Sequence, residues 1–377
     1  MNTVKILHCA DIHIGAAQSF LGTLAQKRKY EVLMTFEKII DMANENGVEI
    51  IAIAGDLFDS NNIEKSFVDA VFNKIASVPN IKTVLICGNH DPLDSTSPFV
   101  SYKLPENLYV LGSEDEVIAF DDIKVRVYGR SFGYCYETGK EKFTITPPDD
   151  EYINFMLMHG DFKADLNSNY NAITPEFIKS SSMDYIALGH IHKRSGIEKI
   201  DDTFYAYCGC PEGQGFDELD EKGVYIGNIG KGVCDLKFTP INRRRHIHMV
   251  IDVSDIENQN DIPDKIISAL SEAFGENYPE NLYKIDLTGE LPEDFNISLN
   301  EINQRLSDRL FFVKTRNYTE VYIDKETIAK EATLKGIFVK NMLKKIEEAQ
   351  DSEKPILQKA LSLGLKAFNG EVIWNED

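Results

Sequence analysis

Ile6-Leu7-His8-Cys9-Ala10-Asp11-Ile12-His13 runs from an apolar strand straight into an acid and an imidazole, and the same join returns along the chain. The run at 49–54 stops in Gly55-Asp56, and the run at 83–87 stops in Gly88-Asn89-His90-Asp91. The run at 153–158 ends in His159-Gly160, and that at 185–188 in Gly189-His190-Ile191-His192. In open α/β sheets a site forms beyond the carboxyl ends of the strands, so five clusters scattered in sequence can converge in space. Carboxylate, imidazole and amide donors together suit Mn²⁺, Fe or Zn²⁺ better than a thiolate-selected metal. Two such ions roughly 3.5–4 Å apart, joined by a bridging carboxylate, clamp the attacking and leaving oxygens of a phosphoryl displacement. Gly55, Gly88 and Gly189 each precede a polar residue, where the missing Cβ lets the backbone turn sharply. Any one cluster is commonplace, since Gly-Asp and Gly-Asn are ordinary turn pairs. Six of the eight histidines standing in the ordered series is not. His8, three residues before Asp11, is read as structural.

Outward from these joins the chain alternates strand and helix. Leu33, Phe36, Ile39, Ile40 and Ala43 recur at helical spacing within a helix expected from about Gln26 to Asn46. The continuous apolar run to Ala54 suits a strand covered on both faces. A helix from Ile63 to about Val78 and a strand from Thr83 to Cys87 follow, which together predict a layered α/β domain. Val117–Phe120 and Lys124–Tyr128 flank Asp121-Asp122 as a hairpin, and further hairpin-like segments continue to about Ile241. Strand- and helix-like segments between His246 and Arg316 suggest a small α+β cap. The last section is helical and broken at Ser352–Pro355. The expected division is 1–242 for the catalytic domain, 243–324 for the cap and 325–377 for a C-terminal helical segment.

Composition sets limits. The 377 residues contain 43% hydrophobic side chains, enough for a large core, and no apolar run long enough to cross a bilayer. The N-terminus reads as a strand rather than a signal peptide, and the six cysteines lack a disulfide framework, so a cytoplasmic protein with reduced thiols is expected. A net charge of −21 argues against bulk electrostatic binding to nucleic acid. Either the substrate is no long polyanion, or metals and a partner supply the positive potential.

The ordered series Asp-x-His, Gly-Asp, Gly-Asn-His-Asp, His-Gly, Gly-His-x-His resembles the calcineurin-like metallophosphoesterase signature. Ile6 to Gly15, Ala54 to Asp59 and Cys87 to Asp91 further resemble the SbcD-type DNA repair exonucleases, as do Gly209-Cys210-Pro211 and Phe216-Asp217-Glu218. Leu334 to Val339 does so more weakly. The resemblance implies an α/β/β/α sandwich with a small cap and C-terminal helices. It implies that Asp11, His13 and His192 hold one metal, that Asn89, His159 and His190 hold the other, and that Asp56 bridges them. His90 would be a catalytic histidine outside the ligand set, with Asp91 as its orienting partner. Two divalent ions, Mn²⁺ above all with Fe or Zn²⁺ as substitutes, would activate water for attack on a phosphodiester, with inversion at phosphorus. The implied partners are DNA, an SbcC-like coiled-coil ATPase and a second copy of the chain in a homodimer, with no membrane. Asp59 stands where some relatives carry a second histidine, so that residue's duty does not transfer. A phosphoesterase for nucleotides or other small phosphodiesters, and a DNA-end-binding subunit with weak catalysis, remain alternatives.

Weaker signals lie around the series. Lys193-Arg194 directly follows His192 and is placed to meet substrate phosphates. Arg130 reads equally as a substrate contact or a structural ion pair. Arg243-Arg244-Arg245 is either a phosphate contact or a solvated linker. Phe132, Tyr134 and Tyr136 alternate as packing residues or as base-stacking groups. His246 and His248 are expected at the surface or between domains. The C-terminal apolar stripes pack on their own domain or dock on a partner.

Overall fold

The computed structural model describes residues 2–136, 143–144, 147, 151–162, 168–292, 294–322 and 324–368. Residues 369–377, the end of the expected C-terminal segment, lie outside the described residues. Strands β1 (Thr3–Cys9), β2 (Ile50–Ala54), β3 (Lys82–Ile86) and β4 (Leu108–Val110) run parallel, with Leu7 opposite Ile51, Ile51 opposite Thr83 and Thr83 opposite Leu108. Helices α1 (Ala25–Glu45) and α2 (Lys65–Ala76) make the first two crossovers. The short helix α3 (Pro98–Ser101) precedes β4. A second sheet holds β5 (Glu116–Phe120), β6 (Val125–Gly129), β7 (Ile153–His159), β8 (Tyr185–Gly189), β9 (Glu198–Ile200) and β10 (Thr203–Tyr207), in the order β5-β6-β7-β8-β10-β9. Helix α4 (Pro175–Ser181) leads into β8. The chain then returns to the first sheet, where β11 (Gly223–Gly230) lies antiparallel to β1 and β12 (Val233–Pro240) closes the edge.

Alternation along each strand decides what the layers bury. Ile50, Ala52 and Ala54 of β2 point between the two sheets, against Val127, Phe155, Leu157 and Ala187. Ile51 and Ile53 point the other way, onto Phe36 and Ile40 of α1 and Val71 of α2. Every residue of β2 is therefore buried, as its unbroken apolar sequence requires. The outer face of the second sheet buries Met156, Ile186 and Tyr205 with Ile178 of α4. Helix, sheet, sheet, helix is the layer order that the family resemblance implies, and the parallel strands of each sheet end on one side.

Beyond Pro240 the chain forms β13 (His246–Asp252), α5 (Ile262–Phe274), β14 (Leu282–Thr288), β15 (Glu290–Leu291), α6 (Leu299–Ser307), β16 (Phe312–Asn317) and β17 (Glu320–Val321). Helices α7 (Lys325–Ile328), α8 (Leu334–Glu348) and α9 (Lys354–Phe368) follow, with the break where Ser352–Pro355 places it. Strands β13, β14 and β16 form one small sheet and β15 with β17 another. Two compact units result. One comprises 1–250, 263–286 and 299–316; the other comprises 251–262, 287–298 and 317–377. Segments 263–286 and 299–316 belong to the first unit. No helix among the described residues is long and apolar enough to cross a membrane.

Within the basic run at 243–245, Arg243 is exposed and Arg244 turns inward. Arg244 is buried, its Nε and Nη2 donating to the two carboxylate oxygens of Glu31 at 2.7 and 2.6 Å. Arg28 Nη2 donates to Glu212 Oε2 at 2.6 Å, and Thr35 donates to the other Glu212 oxygen at 2.6 Å. Charges this deep persist only when paired, and removing one partner strands the other.

His246, expected at the surface or between domains, is buried, 5.2 Å from the Phe216 ring and 6.2 Å from the Phe20 ring, with neither ring nitrogen hydrogen-bonded. Burial, aided by the charge of Arg28, pushes its pKa down to about 4. Unfolding lets this imidazole take up a proton that the folded chain refuses, so its contribution to stability is lost as the pH falls from 6.5 towards 4. His246→Phe is expected to relieve about 2 kcal/mol of the acid destabilisation at pH 5. Urea unfolding at pH 7 and pH 5 reads this as a shallower pH dependence in the variant.

Candidate metal centre

The loops after β1 and β2 are laced together by their backbones. Asp11 N donates to Gly55 O at 3.1 Å, Ile12 N and His13 N both donate to Asp56 O at 2.9 and 3.0 Å, and Ile14 N donates to Leu57 O at 2.9 Å. Asp11, His13, Asp56 and His190 all hold positive φ, at 53°, 50°, 52° and 98°. Left-handed backbone at a non-glycine residue is costly and persists where its surroundings over-determine it. Here it turns four side chains inward at the strand ends. The close approach also explains a glycine: a Cβ on Gly88 would lie 2.2 Å from Asp56 Oδ1 and 2.8 Å from Asp56 N.

The side chains gather in two groups. In the first, His13 Nε2 and His192 Nε2 lie 3.0 Å apart, and Asp11 offers a carboxylate oxygen within 4.8 Å of both rings. In the second, Asn89 Oδ1 lies 3.0 Å from His159 Nε2 and 3.1 Å from His190 Nδ1. Asp56 Oδ2 sits between them, 3.6 Å from His13 Nε2 and 3.4 Å from His159 Nε2. All seven residues expected as ligands thus meet.

The nitrogen that each ring turns away from its group faces an oxygen, in the case of His13 without a hydrogen bond. His159 Nδ1 meets Ala54 O at 2.9 Å, and His190 Nε2 faces Asp161 Oδ1 at 3.2 Å. His13 Nδ1 faces Asp59 Oδ1 at 3.3 Å, and His192 Nδ1 meets Glu218 Oε1 at 2.6 Å. Such outer partners fix the tautomer and orientation of a ligating imidazole. Glu218 and Asp161 were not singled out from the sequence. Glu218 stood inside the motif Phe216-Asp217-Glu218, but no role could be read without knowing that the segment folds back on His192.

Charge is unevenly shared. Burial opposes ionisation of Asp56, yet the adjacent His159 and His13 hold its carboxyl well below the usual range. Burial likewise opposes a charge on His159, but Asp56 and Asp11 raise its pKa to about 9. His190 is pushed down by burial and by the charge of His159. Burial and then the charge of Asp56 raise Asp91 to about 7.

Some expected residues fall elsewhere. Asp91 does not orient His90: its carboxylate accepts from Gly88 N at 2.8 Å and Phe58 N at 3.0 Å, tying two loops together. The acid beside the His90 ring is Asp59, whose carbonyl lies 3.2 Å and carboxylate 3.8 Å from His90 Nδ1. The His90 ring is 46% exposed and packs edge-on to His13 at 4.6 Å, at the open side of the group. Arg130 pairs with Asp115 at 3.3 Å, and the Arg194 guanidinium lies on the Phe238 ring at 3.8 Å. Lys193 is exposed. Phe132 is buried against His159, while Tyr134 and Tyr136 are exposed.

Residues 4–194 match the calcineurin-like phosphoesterase family, and the chain belongs to it. This is a metallophosphoesterase family, whose members bind divalent metals. Among similar proteins, the metallophosphoesterase YhaO of Bacillus subtilis (strain 168) is 23% identical over 305 residues, covering 78% of this chain and 74% of that one. The DNA double-strand break repair protein Mre11 of Methanopyrus kandleri is 25% identical, covering 59% of this chain and 52% of its own length. The Thermoplasma acidophilum Mre11 is 29% identical, covering 61% and 64%. The chain therefore spans less than two-thirds of the length of these two archaeal relatives.

The residues present fit a pair of divalent cations. Oxygen and nitrogen donors converge in two groups, an acid lies between them, and the outward ring nitrogens of His159 and His192 are hydrogen-bonded. Gly88→Ala is expected to weaken Mn²⁺ binding by roughly 10- to 100-fold, because the new methyl group displaces Asp56 side chain and backbone together. Calorimetric titration of Mn²⁺ into wild type and variant checks it.

Proposed function

We propose that the chain is a metal-dependent nuclease that hydrolyses phosphodiester bonds of DNA. The observation that carries this reading is Asp56 Oδ2 lying between His13 Nε2 and His159 Nε2, at the junction of two complete donor groups. Asp11, His13 and His192 would hold one ion and Asn89, His159 and His190 the other, with Asp56 placed to serve both. Bound there, two divalent ions, Mn²⁺ in the first place, supply the positive charge that activates water and neutralises the phosphate.

The protein's own groups do the rest. His90 N donates to Asp56 Oδ1 at 2.9 Å, so the loop that carries the catalytic imidazole is anchored to the bridging acid. His90 Nδ1–H donates to Asp59 O at 3.2 Å, so that Nε2, in the imidazolium form, is the nitrogen placed to give a proton to the leaving oxygen and end as a neutral ring. Lys193, exposed beside His192, serves as a phosphate contact. The names of the archaeal relatives support DNA as substrate. Exposed apolar residues on α8 (Leu334, Ile337) and α9 (Ile356, Leu363) suit an ATPase partner, and Tyr30 with Met34 on α1 suit a second copy of the chain.

A small phosphodiester is the second reading, favoured by the net charge of −21 and by the inward turn of Arg244. Purified protein with Mn²⁺ is to be given end-labelled double-stranded DNA and, separately, an aryl phosphodiester. Wild type is expected to shorten the DNA, and His90→Ala to lose roughly 10²- to 10⁴-fold in rate. Cleavage of the aryl ester alone, under all DNA conditions tried, favours the small-substrate reading.

A further inference from the structure

The His192 ring is gripped from outside the donor group by one short segment, Cys210 to Lys222. Glu218 Oε1 lies 2.6 Å from His192 Nδ1. An ionised carboxylate only accepts hydrogen bonds, so Nδ1 carries the proton and Nε2 turns its lone pair towards His13. The other Glu218 oxygen accepts from Gln214 N at 3.1 Å and from the Cys210 thiol at 3.2 Å. Lys222 Nζ donates to the His192 carbonyl at 2.9 Å and lies 3.7 Å from Glu218. Cys210 N donates to that same carbonyl at 3.3 Å. Ring and backbone of His192 are thus fixed by the same segment. Gly209, at φ +71°, permits the approach, since its Cβ would stand 2.8 Å from His192 O.

Resting on the metal reading above, we propose that Glu218 is the positioning residue of one ion only, the ion shared by Asp11, His13 and His192. It presents His192 Nε2 as the ligating atom and fixes the plane of the ring. The other group is independent of it, because His159 Nδ1 is held by Ala54 O and His190 Nε2 by Asp161. The two ions consequently respond to different outer residues, and their affinities can be separated by substitution.

Calorimetric titration with Mn²⁺ alone is the test, supported by the visible absorption of the Co²⁺-loaded protein, which reports the ligand field rather than turnover. Wild type is expected to bind two ions. Glu218→Ala is expected to weaken one by roughly 10- to 100-fold and leave the other unchanged, with altered Co²⁺ bands for the weakened site alone. Glu218→Gln keeps an acceptor for Nδ1–H and is expected to restore most of the affinity. Should the alanine variant not fold, Glu218→Asp withdraws the carboxylate by one methylene and is expected to show the same one-ion loss in milder form. Two ions bound with wild-type affinity by the folded variant overturn this inference and leave the metal reading standing. A wild-type chain that binds no ion overturns both.

Discussion

The Asp56 carboxylate is an acid with almost no exposure to water, set 3.4 Å from one imidazole and 3.6 Å from another. Burial alone would keep such a group protonated, and neighbouring positive charge is what keeps it ionised. Asp56 O accepts from Ile12 N and His13 N, and Asp56 Oδ1 accepts from His90 N. One residue therefore joins the loops after the first, second and third strands. Asp11 makes the matching link to the second sheet, accepting from His190 N at 2.9 Å. The convergence of histidines depends on these two acids more than on any contact among the rings themselves.

The layers around the centre make this arrangement affordable. Two apolar interfaces bury the parallel strands on both faces, so the strand ends are rigid platforms and the left-handed backbone at Asp11, His13, Asp56 and His190 has nowhere to relax. Side chains aimed from such ends need little reorganisation when charge arrives. His90, by contrast, stands at the open side with half its ring exposed, where a group that meets substrate belongs.

Much of this was legible in the sequence, for a physical reason. A strand covered on both faces must be apolar throughout, so polar residues mark its end, and Asp11, Asp56, Asn89, His159 and His190 stood out as the first polar positions after such runs. The hairpin at 116–129 and the break between α8 and α9 were equally plain, because turn residues interrupt periodic runs there. What stayed hidden was whatever depends on distant chain folding back. Asp91 is next to His90 in sequence but spends both oxygens on backbone amides, so adjacency misled. Arg244 read equally as a phosphate contact or as part of a solvated linker, because Glu31, its partner, lies 213 residues away. Glu218 could not be linked to His192 from spacing alone.

Electron paramagnetic resonance of the Mn²⁺-loaded protein tests the bridging role of Asp56 most directly. An acid shared by two ions roughly 3.5–4 Å apart brings their unpaired electrons into exchange contact. The arrangement predicts the multiline spectrum of a coupled manganese pair in wild type, collapsing to isolated-ion signals in Asp56→Ala. Isolated six-line signals from the fully loaded wild-type protein would contradict it.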